Sequence, residues 1–290
     1  MNIGRVLLLL FLFLTPLLPV TATEVNSLVL PEIQVVPIKD TQSKKQYELY
    51  IKLPKGYSES KGKQYPVIYY TDARWHVELL SASTEYIMEE TILVGISWQK
   101  DIDESLIKEH GEHISRQMDY SVQPSRNPVV QTKFQLGQAN NHLAFIRNDV
   151  IKTIESRYRA DPDNRSYFGY SMGGLFGAYI LVTKPETFQN YILGSPALAG
   201  DVAYLEDLSA KSNKISDKAL KTNVFISHGT LEKDESPNIE AFIDLLRNRN
   251  NDKGALEIAV IEGNHQSAFP MTGVQSIKWL ANLQKIDVKQ

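Results

Sequence analysis

Apolar runs dense in β-branched and aromatic residues alternate along this chain with segments of helical period. That alternation limits the possible folds more than any other feature. The runs PVIYYT (66–71) and TILVGIS (91–97) are apolar throughout, as strands covered on both faces are. IQVVPI (33–38) and YELYIKLP (47–54) instead alternate with period two, and a Pro-Lys-Gly-Tyr break follows them, so they are expected to form an antiparallel pair at a sheet edge. From Asn141 the period becomes helical, with Leu143, Ile146, Val150, Ile151, Ile154 and Tyr158 on one stripe that should stop near Asp161-Pro162. RSYFGY (165–170), YILGS (191–195), NVFISHG (223–229) and LEIAVIEG (256–263) read as further strands. Helices are expected over Met172 to Thr183 and around 237–248 and 273–284. The pattern predicts an α/β fold with a mainly parallel central sheet and helices on both faces. Residues 98–138 are polar and aperiodic and read as a long excursion suited to a binding surface.

The first residues bear on location. Arg5 is the only charge before Glu24, an apolar run covers Val6 to Leu14, and Val20-Thr21-Ala22 has the small residues of a cleavage site. Residues 1–22 therefore read as a secretory signal peptide, and 23–290 as one exported domain, periplasmic or secreted. Pro16 and Pro19 interrupt the run short of a membrane span, so no stable span is expected after cleavage. Cysteine is absent, which rules out disulfides, a lipid-acceptor cysteine, cysteine nucleophiles and cysteine-based metal sites. A net charge of −3 gives no sign of a nucleic-acid surface.

Between the strand RSYFGY and the helix from Met172 lies Gly169-Tyr170-Ser171-Met172-Gly173. A G-x-S-x-G occurs by chance in roughly one chain in ten of this length, so its setting must carry the weight. A serine hydroxyl needs a neighbouring base, and a sharp strand-to-helix turn is where α/β enzymes expose such a nucleophile. Ser171 sits at that turn, and the Met172 N–H at the helix start can donate to an oxyanion. Chain order then asks for an acid and a histidine after later strands. His265 follows LEIAVIEG and fits the base. Glu232, Asp234 and Glu235 follow NVFISHG and compete for the acid, with Glu232 nearest the strand end. His228 precedes the acid, His110 and His113 lie in the polar excursion, and His142 near a helix start reads as structural. The loop Tyr70 to His76 should supply the second oxyanion donor, and its Arg74 and Trp75 are placed to meet substrate, as is Tyr170. No cofactor or metal is called for.

The motifs FIRNDVI (145–151), RYRAD (157–161) and FGYSMGGLFGAY (168–179), with PETF (185–188), GSP (194–196) and GTLE (229–232), resemble the putative-esterase family of α/β-hydrolases. That family includes enterochelin and other siderophore esterases, S-formylglutathione hydrolases, feruloyl esterases and mycolyltransferases. The resemblance implies an α/β-hydrolase fold and a triad of Ser171, Glu232 and His265. It maps an Asp-Gly oxyanion loop onto Asp72, Ala73 and Arg74, with Ala73 in place of the glycine. The expected activity is hydrolysis of a small carboxylic ester through an acyl-enzyme, with siderophore-type esters nearest. A non-catalytic ligand binder on the same scaffold and an acyltransferase are the rival expectations.

Overall fold

The computed structural model describes residues 33–59, 62–215, 222–249 and 254–287. The expected signal peptide at 1–22 lies outside the described residues. Among the described residues, eight strands, β1 (Ile33–Lys39), β2 (Gln46–Lys52), β3 (Tyr65–Tyr70), β4 (Ile92–Ile96), β5 (Ala160–Tyr170), β6 (Asn190–Gly194), β7 (Asn223–Gly229) and β8 (Leu256–Ile261), form one sheet in the order β1-β2-β4-β3-β5-β6-β7-β8. β1 pairs antiparallel with β2, as the period-two edge pattern predicts, and β2 also pairs antiparallel with β4. Every pairing from β4 through β3 to β8 is parallel.

The helices are α1 (Ala73–Ile87), α2 (Glu104–His110), α3 (Ser115–Asp119), α4 (Pro128–Phe134), α5 (Ala139–Phe145), α6 (Ile151–Arg157), α7 (Met172–Thr183), α8 (Val202–Ile215), α9 (Ser236–Arg249) and α10 (Phe269–Asp287). Alternate side chains of the parallel strands feed two separate cores, which is why these strands are apolar without a break. Val67, Tyr69, Tyr167, Tyr191 and Leu193 pack on one face with α5, α6, α7, α8 and α9 residues such as Ile154, Phe176, Leu205 and Phe242. Ile68, Tyr70, Phe168, Ile192 and Phe225 pack on the other with Leu80 of α1 and Ile277 and Leu280 of α10. α7 is buried almost all round, so its residues show no amphipathic stripe.

Three local readings change. The helix from Asn141 is α5 and α6 joined by a π turn, Ile146–Val150, and both Val150 and Ile151 are buried where the stripe breaks its three-four rhythm. It ends at Arg157, ahead of Asp161-Pro162, because Ala160 already pairs with Tyr65 in β5. The β3–β5 register shifts between Tyr65 and Val67, and that irregularity accommodates Pro162, which has no N–H to donate. The segment after β3, read as a loop to His76, becomes helical at Ala73. The excursion at 98–138 holds three helices of five to seven residues, too short to print a period.

His76 of α1 joins the second face. Its ring stacks on Phe269 of α10 at 4.7 Å and meets Phe168 edge-on at 5.7 Å. Burial, opposed by nearby Asp72 and reinforced by Arg116, pushes its pKa down from 6.5 to about 4. The unfolded chain then binds this proton first as the pH falls, so the stability tied to neutral His76 is complete above pH 6.5 and lost toward pH 4. Urea unfolding at pH 7 and pH 5 should show a loss of about 2 kcal/mol from this group. His76→Leu should make the pH slope shallower by that amount, and an unchanged slope would refute the assignment.

Candidate active site

Ser171 joins β5 to α7 with φ 58° and ψ −119°, a region that residues with a Cβ rarely occupy. Neighbouring contacts hold it there. The Ser171 N–H donates to the Gly194 carbonyl at 2.9 Å, and the Ser171 carbonyl accepts from Leu175 and Ala197 N–H groups at 3.0 and 3.1 Å. Glycine is required on both sides for close approach. A Cβ on Gly169 would overlap the Gly173 carbonyl, and one on Gly173 would overlap Thr71 Oγ1 at the end of β3. The elbow therefore packs directly against the turn that leads into α1. Met172, Ala73 and Arg74 have backbone N–H groups with no acceptor among the described residues, as expected in first helical turns.

The remaining groups arrive on the loops after β7 and β8, the strands farthest along the parallel half of the sheet. Glu232 Oε1 lies 2.5 Å from His265 Nδ1. Its Oε2 accepts from the Gly229 N–H at 2.5 Å and from Ser195 Oγ at 2.8 Å. Partial burial alone would raise this carboxyl, but hydrogen bonds from His265, Gly229 and Ser195 outweigh it and hold the pKa below the usual carboxylate range. Glu232 thus stays ionised and orients the ring, leaving Nε2 as the free nitrogen. Asp234 and Glu235, the other two candidates, make no contact with a histidine among the described residues.

Tyr170 closes this network. Its hydroxyl donates to the His265 carbonyl at 2.6 Å, and Ser195 Oγ lies 2.9 Å from the same hydroxyl. Burial pushes the Tyr170 phenol up to about 12, so it remains a neutral donor. Ser195 itself adopts a positive φ of 36° and is buried. GSP entered the sequence reading only as part of the family resemblance, and nothing in the sequence alone ties Ser195 to Glu232.

Ser171 and His265 line one cleft of about 600 Å³ together with Trp75, Tyr170, Arg116 and Phe269. Trp75 is 47% exposed. The Arg74 side chain points elsewhere, to an ion pair with Glu112 at 2.8 Å and a neighbouring cavity beside Trp98. Arg116 and Phe269 escaped the sequence reading, the first because α3 has no period and the second because the start of α10 lies beyond the loop that carries His265.

Of the other histidines, His76 of α1 also lines this cleft, and the remaining four do not. His113 lies 5.1 Å from the Trp75 ring and His110 packs edge-on to Phe134. His142 is buried among Tyr47, Tyr120, Phe145 and Phe176, and His228 Nδ1 lies 3.3 Å from the Gly229 carbonyl. Among the described residues no cluster of three potential metal ligands exists.

The model of the family described as "Putative esterase" matches residues 41–285. The ferri-bacillibactin esterase BesA of Bacillus subtilis (strain 168) is 26% identical over 238 residues, which cover 72% of this chain and 73% of that protein. The crystal structure of BES protein from Bacillus cereus superposes with a TM-score of 0.72 at 23% identity, covering 90% of this chain and 98% of that one. Siderophore hydrolase EstB from Aspergillus nidulans gives a TM-score of 0.69 at 18% identity, covering 88% and 97%. At these identities the two structures speak for the fold, which is the mixed sheet flanked by helices seen in esterases of the α/β-hydrolase type. The chain belongs to the Putative esterase family and is a carboxylic ester hydrolase.

Proposed function

We propose that the chain is an exported serine esterase whose nucleophile is Ser171, base His265 and acid Glu232, acting on siderophore-type esters. The observation that carries the reading is the 2.5 Å contact between His265 Nδ1 and Glu232 Oε1 beside the same cleft that Ser171 lines. With Nδ1 engaged, Nε2 takes the Ser171 proton as Oγ bonds to the ester carbonyl carbon. The carbonyl oxygen becomes an oxyanion, met by the N–H groups of Met172 and Arg74. Collapse breaks the C–O bond, the imidazolium protonates the leaving alcohol, and the acyl group stays on Ser171. Water, deprotonated by His265, then releases the acid and restores the serine. Glu232 remains ionised throughout and stabilises the imidazolium.

The substrate class rests on the relative named for ferri-bacillibactin and on the cleft itself. Trp75, Tyr170 and Phe269 line the cleft with aromatic rings, which suits an ester that carries flat groups. Export rests on Arg5, the apolar run after it and Val20-Thr21-Ala22. No helix among the described residues is long and apolar enough to cross a membrane.

Ser171→Ala should cut turnover of a short p-nitrophenyl ester by roughly 10⁴-fold or more while the melting temperature stays within a few degrees. Turnover above a tenth of the parent rate would sink the assignment. Among ferri-bacillibactin, a feruloyl ester and p-nitrophenyl acetate, the first should give the highest kcat/KM. Preference for either of the others would overturn the substrate class alone.

A further inference from the structure

The excursion between β4 and α5 grips the turn that leads into α1, and it does so through one carboxylate. Asp72 is fully buried and takes the left-handed conformation, φ 54° and ψ 45°, immediately before Ala73 and Arg74. A left-handed aspartate persists only where its surroundings over-determine it. Here three donors do so. Trp98 Nε1 donates to Oδ1 at 2.7 Å, and Arg116 donates from Nε to Oδ1 and from Nη2 to Oδ2, each at 3.0 Å. The two guanidinium bonds form a parallel fork, the geometry that fixes orientation as well as distance. Asp72 Oδ2 also approaches the space a Cβ on Gly173 would fill, so the carboxylate sits against the elbow itself.

Arg116 is in turn held from both sides. Its guanidinium lies 5.1 Å from the Trp75 ring centroid and 5.9 Å from that of Tyr120, and the Trp75 ring meets Trp98 edge-on at 4.7 Å. Its side chain also lines the cleft with Ser171 and His265. The Asp72 carboxylate uses Nε and Nη2, which leaves Nη1 without a protein acceptor among the described residues.

The geometry points to Asp72 and Arg116 as positioning residues that set the second oxyanion donor, with Arg116 tying that donor to the cleft. The inference rests on the reading of Ser171 as nucleophile. It goes beyond that reading in giving the 98–138 excursion a part in transition-state stabilisation. Asp72 falls in the wrong order for a triad acid, and its burial and its fork have no other role in the proposed reaction. The carboxylate fixes φ at Asp72, φ at Asp72 fixes where the Ala73 and Arg74 N–H groups emerge, and the excursion fixes the carboxylate.

The test measures p-nitrophenyl ester turnover and inhibition by phenylboronate, whose tetrahedral adduct carries the oxyanion charge, on the full-length protein. Active sites are counted by burst titration, so loss of folded protein does not mimic a loss of rate. Arg116→Gln and Asp72→Asn should each lower kcat per titrated site at least tenfold, toward the hundredfold or more that loss of an oxyanion donor costs. KM should stay within threefold, and phenylboronate affinity should fall in step with kcat/KM. Arg116→Lys, which keeps the charge but not the fork, should recover only part of the loss. The double variant should be no worse than the weaker single one, because both break the same link. If Arg116→Gln does not fold, Asp72→Asn, which keeps the side-chain shape, gives the same readout. The inference is overturned if kcat per titrated site and phenylboronate affinity stay within twofold of the parent, or if only KM moves, while Ser171→Ala is inactive. Parent-like turnover in Ser171→Ala would instead remove the reading of the nucleophile on which the inference rests.

Discussion

The backbone of Ser171 is held in a conformation it would not choose, and much of the structure can be understood as what holds it. At φ 58° and ψ −119° the residue leaves the end of β5 and enters α7 without an intervening loop. The restraint is local and dense. It comes from hydrogen bonds to Gly194, Leu175 and Ala197 and from glycines at 169 and 173 that let the strand, the helix and the end of β3 approach within contact. The central parallel strands anchor this turn because β5 has β3 on one side and β6 on the other, and its last five residues, Ser166 to Tyr170, are all buried. A side chain presented from such a turn stands clear of the sheet with little freedom to move, which is what a nucleophile needs.

The same sheet brings two further loops to the elbow, after β7 and after β8, and these depend on a polar network more than on packing. Glu232 satisfies both oxygens with His265, Gly229 and Ser195, and Tyr170 returns from the strand that carries Ser171 to hold the His265 carbonyl. The His265 loop is thus fixed at its ring and at its backbone. A network satisfied at each member fixes one arrangement, whereas an unpaired buried carboxylate would raise its own pKa and release the ring. On the other side of the elbow Asp72 holds a comparable position, with its partners drawn from the excursion.

The sheet was legible in the sequence because strands buried on both faces leave nothing for alternation to show, so PVIYYT and TILVGIS read as unbroken apolar runs. The edge pair was legible for the opposite reason, since Tyr47, Leu49 and Ile51 are buried while the residues between them are largely not. α1 was hidden because it follows the left-handed Asp72 with no intervening loop residue, and a non-glycine left-handed residue leaves no mark in composition. α2, α3 and α4 have seven residues or fewer, below the length at which a helical period can repeat. At the site, chain order and the strand ends led to Ser171 and His265 and left Glu232, Asp234 and Glu235 competing, and of these it is Glu232 that contacts His265. Arg116 and Ser195 were beyond reach, because what matters in each is a contact 44 and 37 residues away in the chain.

The central claim is that Ser171 forms the covalent bond to the acyl group. The most direct measurement treats the folded protein with a fluorophosphonate, digests it and sequences the labelled peptide by mass spectrometry. The account requires a single adduct, on Ser171 within FGYSMGGLFGAY, that disappears in Ser171→Ala and forms more slowly when Glu232 is replaced by glutamine. An adduct on another residue, or full turnover in protein that takes up no label, would contradict it.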